Sequence, residues 1–431
     1  MRLAVYLDLL RQNPAFTRLY LAQLASFAGD WFATVALLGL ALELSGSAAV
    51  ASLVLVLQTG GFAAASPLAG ILADRLDRRR LLIVADLARV PLALGFLLAR
   101  DPGTLWIAFA CVALLAVGAA FFEPASTAAL PNLVSPERLP EANVLIGSAW
   151  GTMLAVGAGL GGLVAVAFGR EAAFVTNAAS FLASAWLIYG IRRPLQQGPA
   201  PGEQGGQAYS ARQAFRTALE FARESRLVTA FLMSKTTFGV GTGVVALLAV
   251  FGSDVFAGGD AGIGVLFAAR GLGALVGPFL GRALVGTHDR GLLLGIGGSL
   301  IVVCVAYALF PLAPVLWLAA ALVFVAHLGG GAQWMLSTLG LQRAAPDHLR
   351  GRLFSFDYGL VTLTITISTL LAGVLADSLA PAIAVWAMVG LIGLAGAGWL
   401  VFARPAYRLA PPAQAEPPPY PRTGESPPPP G

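Results

Sequence analysis

Apolar runs long enough to cross a lipid bilayer recur along most of the chain. A helix needs about 20 apolar residues to cross the hydrocarbon core, and twelve runs meet that length. Lipid offers no hydrogen-bond partner to a free backbone, so each spanning run must be helical. The sequence therefore predicts an all-α membrane protein, with runs at about 18–43, 48–73, 81–99, 104–126, 140–168, 172–191, 228–256, 261–284, 291–311, 314–341, 353–377 and 381–403.

Composition leads to the same class of protein. Hydrophobic residues make up 57% of the chain and charged residues only 11%, whereas soluble domains carry roughly 25% charged residues. The net charge of +5 is explained by arginines at the membrane surface, so no nucleic-acid partner is expected. The two cysteines, Cys111 and Cys304, lie in separate apolar runs and indicate neither a disulfide framework nor a metal site.

The placement of basic residues predicts the orientation in the membrane. With the N-terminus in the cytoplasm, all but three of the 27 Lys and Arg residues are assigned to cytoplasmic segments. The exceptions are Arg100 and Arg170 in outer loops and Arg270 within a run. This bias is typical of cytoplasmic loops, so we expect both termini inside the cell.

Two halves of six spans each are predicted on either side of one long internal loop. We expect a first bundle at 1–191, a cytoplasmic linker at 192–227 with a basic amphipathic helix at about 210–223, and a second bundle at 228–404. Residues 405–431 are rich in proline and polar residues and are expected to form a disordered cytoplasmic tail. One chain holds both halves, so a monomer is sufficient for function, as in inverted- or parallel-repeat carriers.

The loop between the second and third runs carries the most specific motif. It reads Gly70-Ile-Leu-Ala-Asp74-Arg75-Leu-Asp77-Arg78-Arg79-Arg80, and it resembles the signature loop of the major facilitator superfamily. The resemblance implies the twelve-helix, two-bundle major facilitator fold and transport by alternating access. Asp77 replaces the usual second glycine of that signature.

In this superfamily the signature loop acts as a latch at the cytoplasmic face. The resemblance implies that Asp74 and Arg78 join an acid on the fourth span, for which Glu123 is the match. Asp357, early in the eleventh span, is predicted to meet the loop at Arg75. Gly70 is expected to permit close approach of helices.

Three other segments are similar to the branch that holds macrolide-efflux proteins and the enterobactin exporter. They are Ala28-Gly-Asp-Trp31, the segment from Leu81 to Arg89, and the segment from Leu341 to Arg352. The resemblance implies a multi-pass protein of the bacterial inner membrane that exports small amphipathic molecules.

Ionisable residues inside spans are costly in hydrocarbon and are therefore candidates for function. Asp30 is predicted to bind a proton or a cationic substrate, or to form an ion pair with Arg270 or Arg89. Arg270 is expected to neutralise an acid or to bind an anionic substrate. His327 is a candidate proton relay, although a hydrogen-bonded packing role is the commoner one. Asp86 and Arg89 are three residues apart and predict a local ion pair.

Small residues recur every four positions in the fifth and eighth spans, which predicts smooth helix faces that pack closely. We expect these faces to meet across the two halves and to slide, with static packing as the alternative. The interface glycines are Gly147, Gly151, Gly159, Gly273, Gly277 and Gly281.

A proton-coupled exporter is the expected function, with protons, membrane lipid and a small-molecule substrate as partners and no cofactor. The chain carries no nucleotide-binding, hydrolase or metal motif, so it is not predicted to be an enzyme. Two alternatives remain open from the residues alone. One is a flippase for lysophospholipid or another lipid cargo, and the other is a membrane receptor or scaffold.

Overall fold

The structure is a computed structural model that describes residues 3–196, 220–285, 288–345 and 347–409. Within these residues it contains helices and no strands, and twelve helices are long and apolar enough to cross a membrane. The predicted count is therefore confirmed. The spans are Pro14–Ser45, Ala48–Arg75, Arg78–Gly95, Leu105–Leu133, Leu139–Phe168, Arg170–Tyr189, Arg226–Val255, Gly259–Leu284, Asp289–Leu309, Leu316–Ala344, Asp347–Ser378 and Pro381–Leu409. We number them spans 1 to 12.

Short polar caps and glycines set the ends of the spans. The Ser47 hydroxyl accepts a hydrogen bond from the Val50 amide at the start of span 2. The Asp77 carboxylate accepts one from the Arg80 amide at the start of span 3. Such caps satisfy amides that a helix leaves free at its first turn. Span 1 ends at Gly46, whose φ of 62° lies in the left-handed region that glycine adopts without strain.

Span 7 is interrupted, which the sequence did not predict. It runs from Arg226 to Gly239, breaks at 240–243, and resumes as Val244–Val250 with a π-helical turn at Phe251–Val255. Glycine at position 243 allows backbone contact here, because an added Cβ would lie 2.1 Å from the Ser368 carbonyl oxygen of span 11. The Ser368 hydroxyl accepts a hydrogen bond from the Gly243 amide at 2.9 Å. A polar partner from a neighbouring helix thus replaces a bond that the break removes.

The two halves have the same internal packing. In the first half, span 1 packs on span 6, span 2 on span 4, and span 3 on spans 4 and 6. In the second half, span 7 packs on span 12, span 8 on span 10, and span 9 on spans 10 and 12. Between the halves, span 5 packs on span 8 and span 2 on span 11. Each contact maps onto its counterpart when six is added to or subtracted from the span numbers, so the bundles are related by a pseudo-twofold axis.

The bundle has two ends, which we name by the chain segments they carry. The terminal face carries the Arg78 turn, the start of span 7 and the end of span 12, together with a short helix, Leu3–Gln12, that precedes span 1. The opposite face carries Gly46 and the turns at 99–104 and 256–258. In the predicted orientation the terminal face is cytoplasmic.

The linker and the tail lie partly outside the described residues. Residues 220–224 are helical, and the rest of the predicted amphipathic helix falls in 197–219, outside the described part of the chain. Span 12 continues to Leu409, so the first five residues of the predicted tail are helical. Residues 410–431 lie outside the described residues.

Candidate functional site

A cavity of about 140 Å³ opens inside the first half. Its polar groups come from four helices: Asp30 of span 1, Gln58 of span 2, Glu123 of span 4 and Asn177 of span 6. Aromatic rings form much of the remaining wall, which is the usual combination in a site for a small amphipathic ligand. The aromatic lining residues are Phe27, Trp31, Phe62, Phe96 and Trp150.

One arginine at the edge of this cavity holds two acids. Arg89 hydrogen-bonds Asp86, three residues earlier on span 3, and its other terminal nitrogen lies 3.8 Å from the Asp30 carboxylate. Arg89 and Asp86 are buried, whereas Asp30 keeps 29% of its side chain exposed. Asp30 therefore meets Arg89, one of its two predicted partners, and it is the member of this cluster that a ligand can reach.

Packing holds Arg89 in this position. Its guanidinium carbon lies 4.3 Å from the ring centroid of Phe181 and 5.3 Å from that of Phe122. Span 4 passes close to the arginine because residue 118 is glycine: an added Cβ would lie 2.8 Å from the Arg89 side chain. Rings and backbone thus keep the charge beside Asp30. Gly118 could not be singled out from the sequence, since nothing in its spacing distinguishes it from other glycines.

Negative charge is in excess around the cavity. Asp30, Asp86 and Glu123 share a single described cation, Arg89, so the cluster carries a formal charge of −2 when all three acids are ionised. One Asp86 oxygen is buried without a hydrogen-bond partner. Uncompensated charge inside a membrane protein is costly.

Arg270 of span 8 has no acidic partner among the described residues. Its guanidinium carbon lies 5.8 Å from the ring of Trp31 and 5.7 Å from the rings of Trp150 and Phe267. Its Nε atom is buried without a hydrogen-bond partner, while the side chain as a whole is half-buried. The predicted ion pair between Arg270 and Asp30 is absent from these residues, because Asp30 faces Arg89 instead.

His327 is buried beside the same region. Its Nε2 atom and the Tyr307 hydroxyl form a hydrogen bond of 2.8 Å, and its ring contacts Phe238 edge to face at a centroid distance of 6.3 Å. Arg270 lies within electrostatic reach of both His327 and Tyr307. This setting matches the packing role that the sequence left open for His327.

A second buried ion pair lies in the other half and was missed. Lys235 of span 7 hydrogen-bonds Asp357 of span 11, and both side chains are buried. The arginine and lysine bias predicts a cytoplasmic position for Lys235, but the structure places this residue within the bundle. Asp357 was predicted to meet Arg75. Lys235 is the partner that the structure gives it, and the Arg75 side chain lies outside the described residues.

The signature loop is anchored by Arg78. Its guanidinium donates to the Ala128 carbonyl of span 4 at 2.9 Å and to the Leu195 carbonyl at 3.4 Å. Glu123 precedes Ala128 by more than one turn of span 4 and lines the cavity. Arg78 thus contacts span 4 through a backbone carbonyl, and its predicted contacts with Asp74 and Glu123 stay predictions. The surroundings of Gly70 and the side chain of Asp74 lie outside the described part of the structure.

The glycine stripes of spans 5 and 8 do not pair as predicted. Gly151 and Gly159 do face span 8, at Leu275 and Ala268 respectively, while an added Cβ at Gly147 would meet nothing within 4 Å. The span 8 stripe instead faces span 10 of its own half. An added Cβ at Gly273 would lie 2.4 Å from the Phe324 carbonyl oxygen, and one at Gly277 would lie 2.4 Å from the Leu328 carbonyl oxygen. An added Cβ at Gly281 would lie 2.8 Å from the Ala332 side chain.

The span 8 positions that meet span 5 lie on another face of the helix. An added Cβ on Gly264 would lie 2.8 Å from the Ala158 carbonyl oxygen, and one on Gly271 would lie 2.3 Å from the Ala155 amide nitrogen. Small residues recur on two faces of span 8, and spacing alone does not indicate which helix each face contacts.

Charged contacts close the two halves together at the opposite face. Arg170 of span 6 bonds Asp260 of span 8 at 2.7 and 3.2 Å and Glu43 of span 1 at 2.6 Å. The Asp377 carboxylate of span 11 accepts hydrogen bonds from the Ser47 hydroxyl and from the first amides of span 2. Nearer the terminal end of span 5, an added Cβ at Gly147 would meet nothing within 4 Å. Among the described residues, these polar contacts join the halves at the opposite face.

Comparison with known proteins identifies the fold and the family. A model of the family described as Major Facilitator Superfamily matches residues 19–356. The chain belongs to the major facilitator superfamily. This transporter is 28% identical over 387 residues to the "Putative bacilysin exporter BacE" of Bacillus subtilis, a match that covers 88% of this chain and 93% of the relative.

Solved structures of the superfamily have the same architecture. A bacterial homologue of the human lysosomal transporter Spinster, in an inward-facing and unoccupied conformation, superimposes with a TM-score of 0.70 at 15% identity, covering 90% of this chain and 96% of that one. A POT family transporter in complex with a thioalcohol conjugated peptide gives 0.71 at 11% identity, covering 91% and 96%. The predicted fold is confirmed, and the chain is a multi-pass membrane transporter rather than an enzyme.

Proposed function

We propose that this transporter exports small amphipathic molecules in exchange for protons, and that Asp30 carries the exchanged proton. The observation that carries the proposal is the cavity lined by Asp30 and Glu123, beside which the buried Arg89 is the one described cation near Asp30, Asp86 and Glu123. Removing a carboxylate from water favours its neutral form, so this excess of acids binds one proton, or one cationic group in its place.

Cargo and proton compete for Asp30, and this competition couples the movement of one to the movement of the other. Asp30 is partly exposed to the cavity, while Asp86 is buried and bonded to Arg89. The groups that face Asp30 are therefore Arg89 and Asp86 from span 3 and Glu123 from span 4. A cargo that occupies Asp30 displaces the proton, and a proton that arrives from the other side displaces the cargo. Each charge moved through a membrane potential supplies about 2.3 kcal/mol per 100 mV.

The direction of transport is part of the proposal. The bias of arginine toward the terminal face favours a cytoplasmic position for that face. The present closure of the opposite face then corresponds to a carrier that is open to the cytoplasm and ready to load cargo for export. The name of the Bacillus subtilis relative, a putative exporter, supports the same direction.

Cargo-induced proton release from inside-out vesicles tests the proposal. Vesicles with an acidic interior receive a panel of macrolides, dyes, catecholate siderophores and lysophospholipids, and the pH gradient is recorded. A cargo should dissipate the gradient with the wild type and not with Asp30→Asn. Asp254→Asn is the matched control, since Asp254 is exposed at the opposite face, and it should behave as the wild type.

Equal cargo movement by the wild type and by Asp30→Asn, with the gradient intact, would contradict proton exchange. If only the lysophospholipids moved, the lipid-flippase alternative would replace drug-type export. Membership of a transporter superfamily already favours a carrier over a receptor or scaffold.

A further inference from the structure

Arg270 differs from the other cations buried in the bundle. Arg89 is paired with Asp86 and Asp30, and Lys235 is paired with Asp357. Arg270 forms no ion pair and no side-chain hydrogen bond with any residue in the described ranges. A lone cation inside a membrane bundle is costly and usually pairs with another group. Among these cations inside the described bundle, Arg270 is therefore the one without a counter-ion.

Aromatic rings hold Arg270 without neutralising it. Trp31 and Trp150 come from the first half and Phe267 from the second, and each ring lies within 6 Å of the guanidinium carbon. The Nε atom is enclosed, whereas the side chain remains half-buried. The exposed part is thus the terminal end of the guanidinium. Its planar fork matches the two oxygens of a carboxylate or a similar acidic group.

The same tryptophans connect Arg270 to the acidic cavity. Trp31 and Trp150 line that cavity together with Asp30 and Glu123, and Trp31 follows Asp30 directly in span 1. The two tryptophans therefore contact the unpaired cation and also line the cavity that holds the acids. A ligand that lies against these rings is flanked by both signs of charge.

We propose that Arg270 binds an acidic group of the cargo, so that the cargo is amphoteric. Its acidic group pairs with Arg270, its basic group meets Asp30 and Glu123, and its apolar body lies against Trp31 and Trp150. This inference rests on the proposed function, because it names the class of cargo for the same transport site. Span 8 belongs to the second half and span 1 to the first, so one such molecule contacts both halves.

A set of charge-matched probes tests the proposal. Three aromatic scaffolds, of which phenylalanylalanine is one, are each prepared as the zwitterion, the C-terminal amide, the N-acetyl acid and the N-acetyl amide. Binding to the purified full chain is measured by titration of tryptophan fluorescence. The zwitterions should bind best. Amidation of the acidic group should weaken binding at least about tenfold, which corresponds to about 1.4 kcal/mol.

Variants assign that preference to residues. Arg270→Gln should bind acid and amide forms equally, and Arg270→Lys should recover part of the preference, since a lysine keeps the charge without the fork. Arg226→Gln is the matched control, because Arg226 lies over the Phe402 ring at 5.2 Å at the far end of span 7. It should retain the wild-type preference.

Two results would overturn the proposal. One is a wild type that shows no preference for the acid forms, including a wild type that binds none of the probes. The other is an Arg270→Gln variant that keeps the preference. If Arg270→Gln fails to fold, Arg270→Lys decides the assignment, because it should show a weaker preference for the acid forms than the wild type. If the vesicles show proton-driven export but the protein shows no binding preference for the acid forms, only the proposed cargo class is refuted. If neither proton-driven export nor the acid preference is found, the proposed function is refuted as well.

Discussion

At the scale of single residues, buried charges in this transporter are fixed by neighbours that have no charge. Phe181, Phe122 and the bare backbone at Gly118 hold Arg89 beside Asp30, and three rings hold Arg270. Lys235 likewise lies 5.0 Å from the ring of Trp334 while it bonds Asp357. Aromatic packing thus helps to place each of these charges, and of the three cations Arg270 is the one left without an ion pair among the described residues.

Removal of one partner of the Lys235–Asp357 pair should destabilise the fold. Lys235→Met leaves the Asp357 carboxylate buried and unpaired, and such a loss costs about 3–5 kcal/mol. The double variant Lys235→Met/Asp357→Leu should recover most of this free energy of unfolding, because apolar residues of similar volume replace buried ion pairs at little cost. Denaturant unfolding in detergent measures the coupling energy as a double-mutant cycle.

A partly exposed pair serves as the control for that cycle. Arg343 and Asp289 lie 3.4 Å apart, with 47% and 31% of their side chains exposed, and the same cycle there should give less than about 1 kcal/mol. Equal coupling energies for the two pairs would contradict a special role for burial at Lys235.

The charged residues that lie inside the bundle could be predicted only in part from the sequence. Asp30, Asp86, Arg89 and Arg270 were found because an ionisable residue inside a long apolar run is conspicuous in one dimension. Lys235 has the same signal, but it lies only nine residues after Arg226 and was assigned to the cytoplasmic side. The partners were harder to predict, because Asp30 meets Arg89 across two helices and sequence spacing carries no information on such a contact.

At the scale of helices, span 7 departs most from a regular element. Glycine at 243 lets its backbone approach the Ser368 carbonyl, and the Ser368 hydroxyl restores a lost hydrogen bond. Apolar length predicts that a helix spans the membrane, so the twelve spans could be predicted. The break could not, since it depends on how closely spans 11 and 12 pack against span 7.

Substitution of alanine at position 243 should therefore disrupt the packing of spans 7 and 11. Its Cβ would lie 2.1 Å from a backbone oxygen, and backbone atoms cannot move aside as the end of a side chain can. The expected loss is about 1–3 kcal/mol, measured as a lower melting temperature of the detergent-solubilised protein.

Gly298→Ala is the control for that substitution. An added Cβ at position 298, in span 9, meets nothing within 4 Å, and alanine favours a helix over glycine. This variant should be neutral or slightly stabilising. A similar loss at both positions would show that close approach at Gly243 is not the cause.

At the scale of the whole molecule, the polar contacts between the halves that the described residues show lie at the opposite face. Arg170 bonds Asp260 and Glu43, and Asp377 caps the first turn of span 2. A carboxylate at a helix N-terminus contributes about 0.3–1 kcal/mol, enough to change the balance between two conformations several-fold. None of these acids was singled out from the sequence, because each becomes significant only when two distant loops meet.

Asp377→Asn should shift the transporter toward closure of the terminal face. A cysteine placed at Gly147, where the structure leaves open space, reports that shift in a background in which Cys111 and Cys304 are replaced by alanine. Its labelling by an aqueous maleimide should slow several-fold when Asp377→Asn is added. Addition of Asp254→Asn should leave the labelling rate unchanged. Equal labelling rates for Asp377→Asn and Asp254→Asn would contradict the claim that the Asp377 contact with span 2 holds the opposite face closed.

Coupled exchange in proteoliposomes tests the central claim most directly. Proton flux and the flux of a labelled cargo from the vesicle panel are recorded together for the wild type, Asp30→Asn and Asp254→Asn. We predict that Asp30→Asn still exchanges labelled for unlabelled cargo but no longer moves cargo against a gradient in response to protons, while Asp254→Asn behaves as the wild type. Proton-driven accumulation that persists in Asp30→Asn would contradict the assignment of the coupling proton to this cavity.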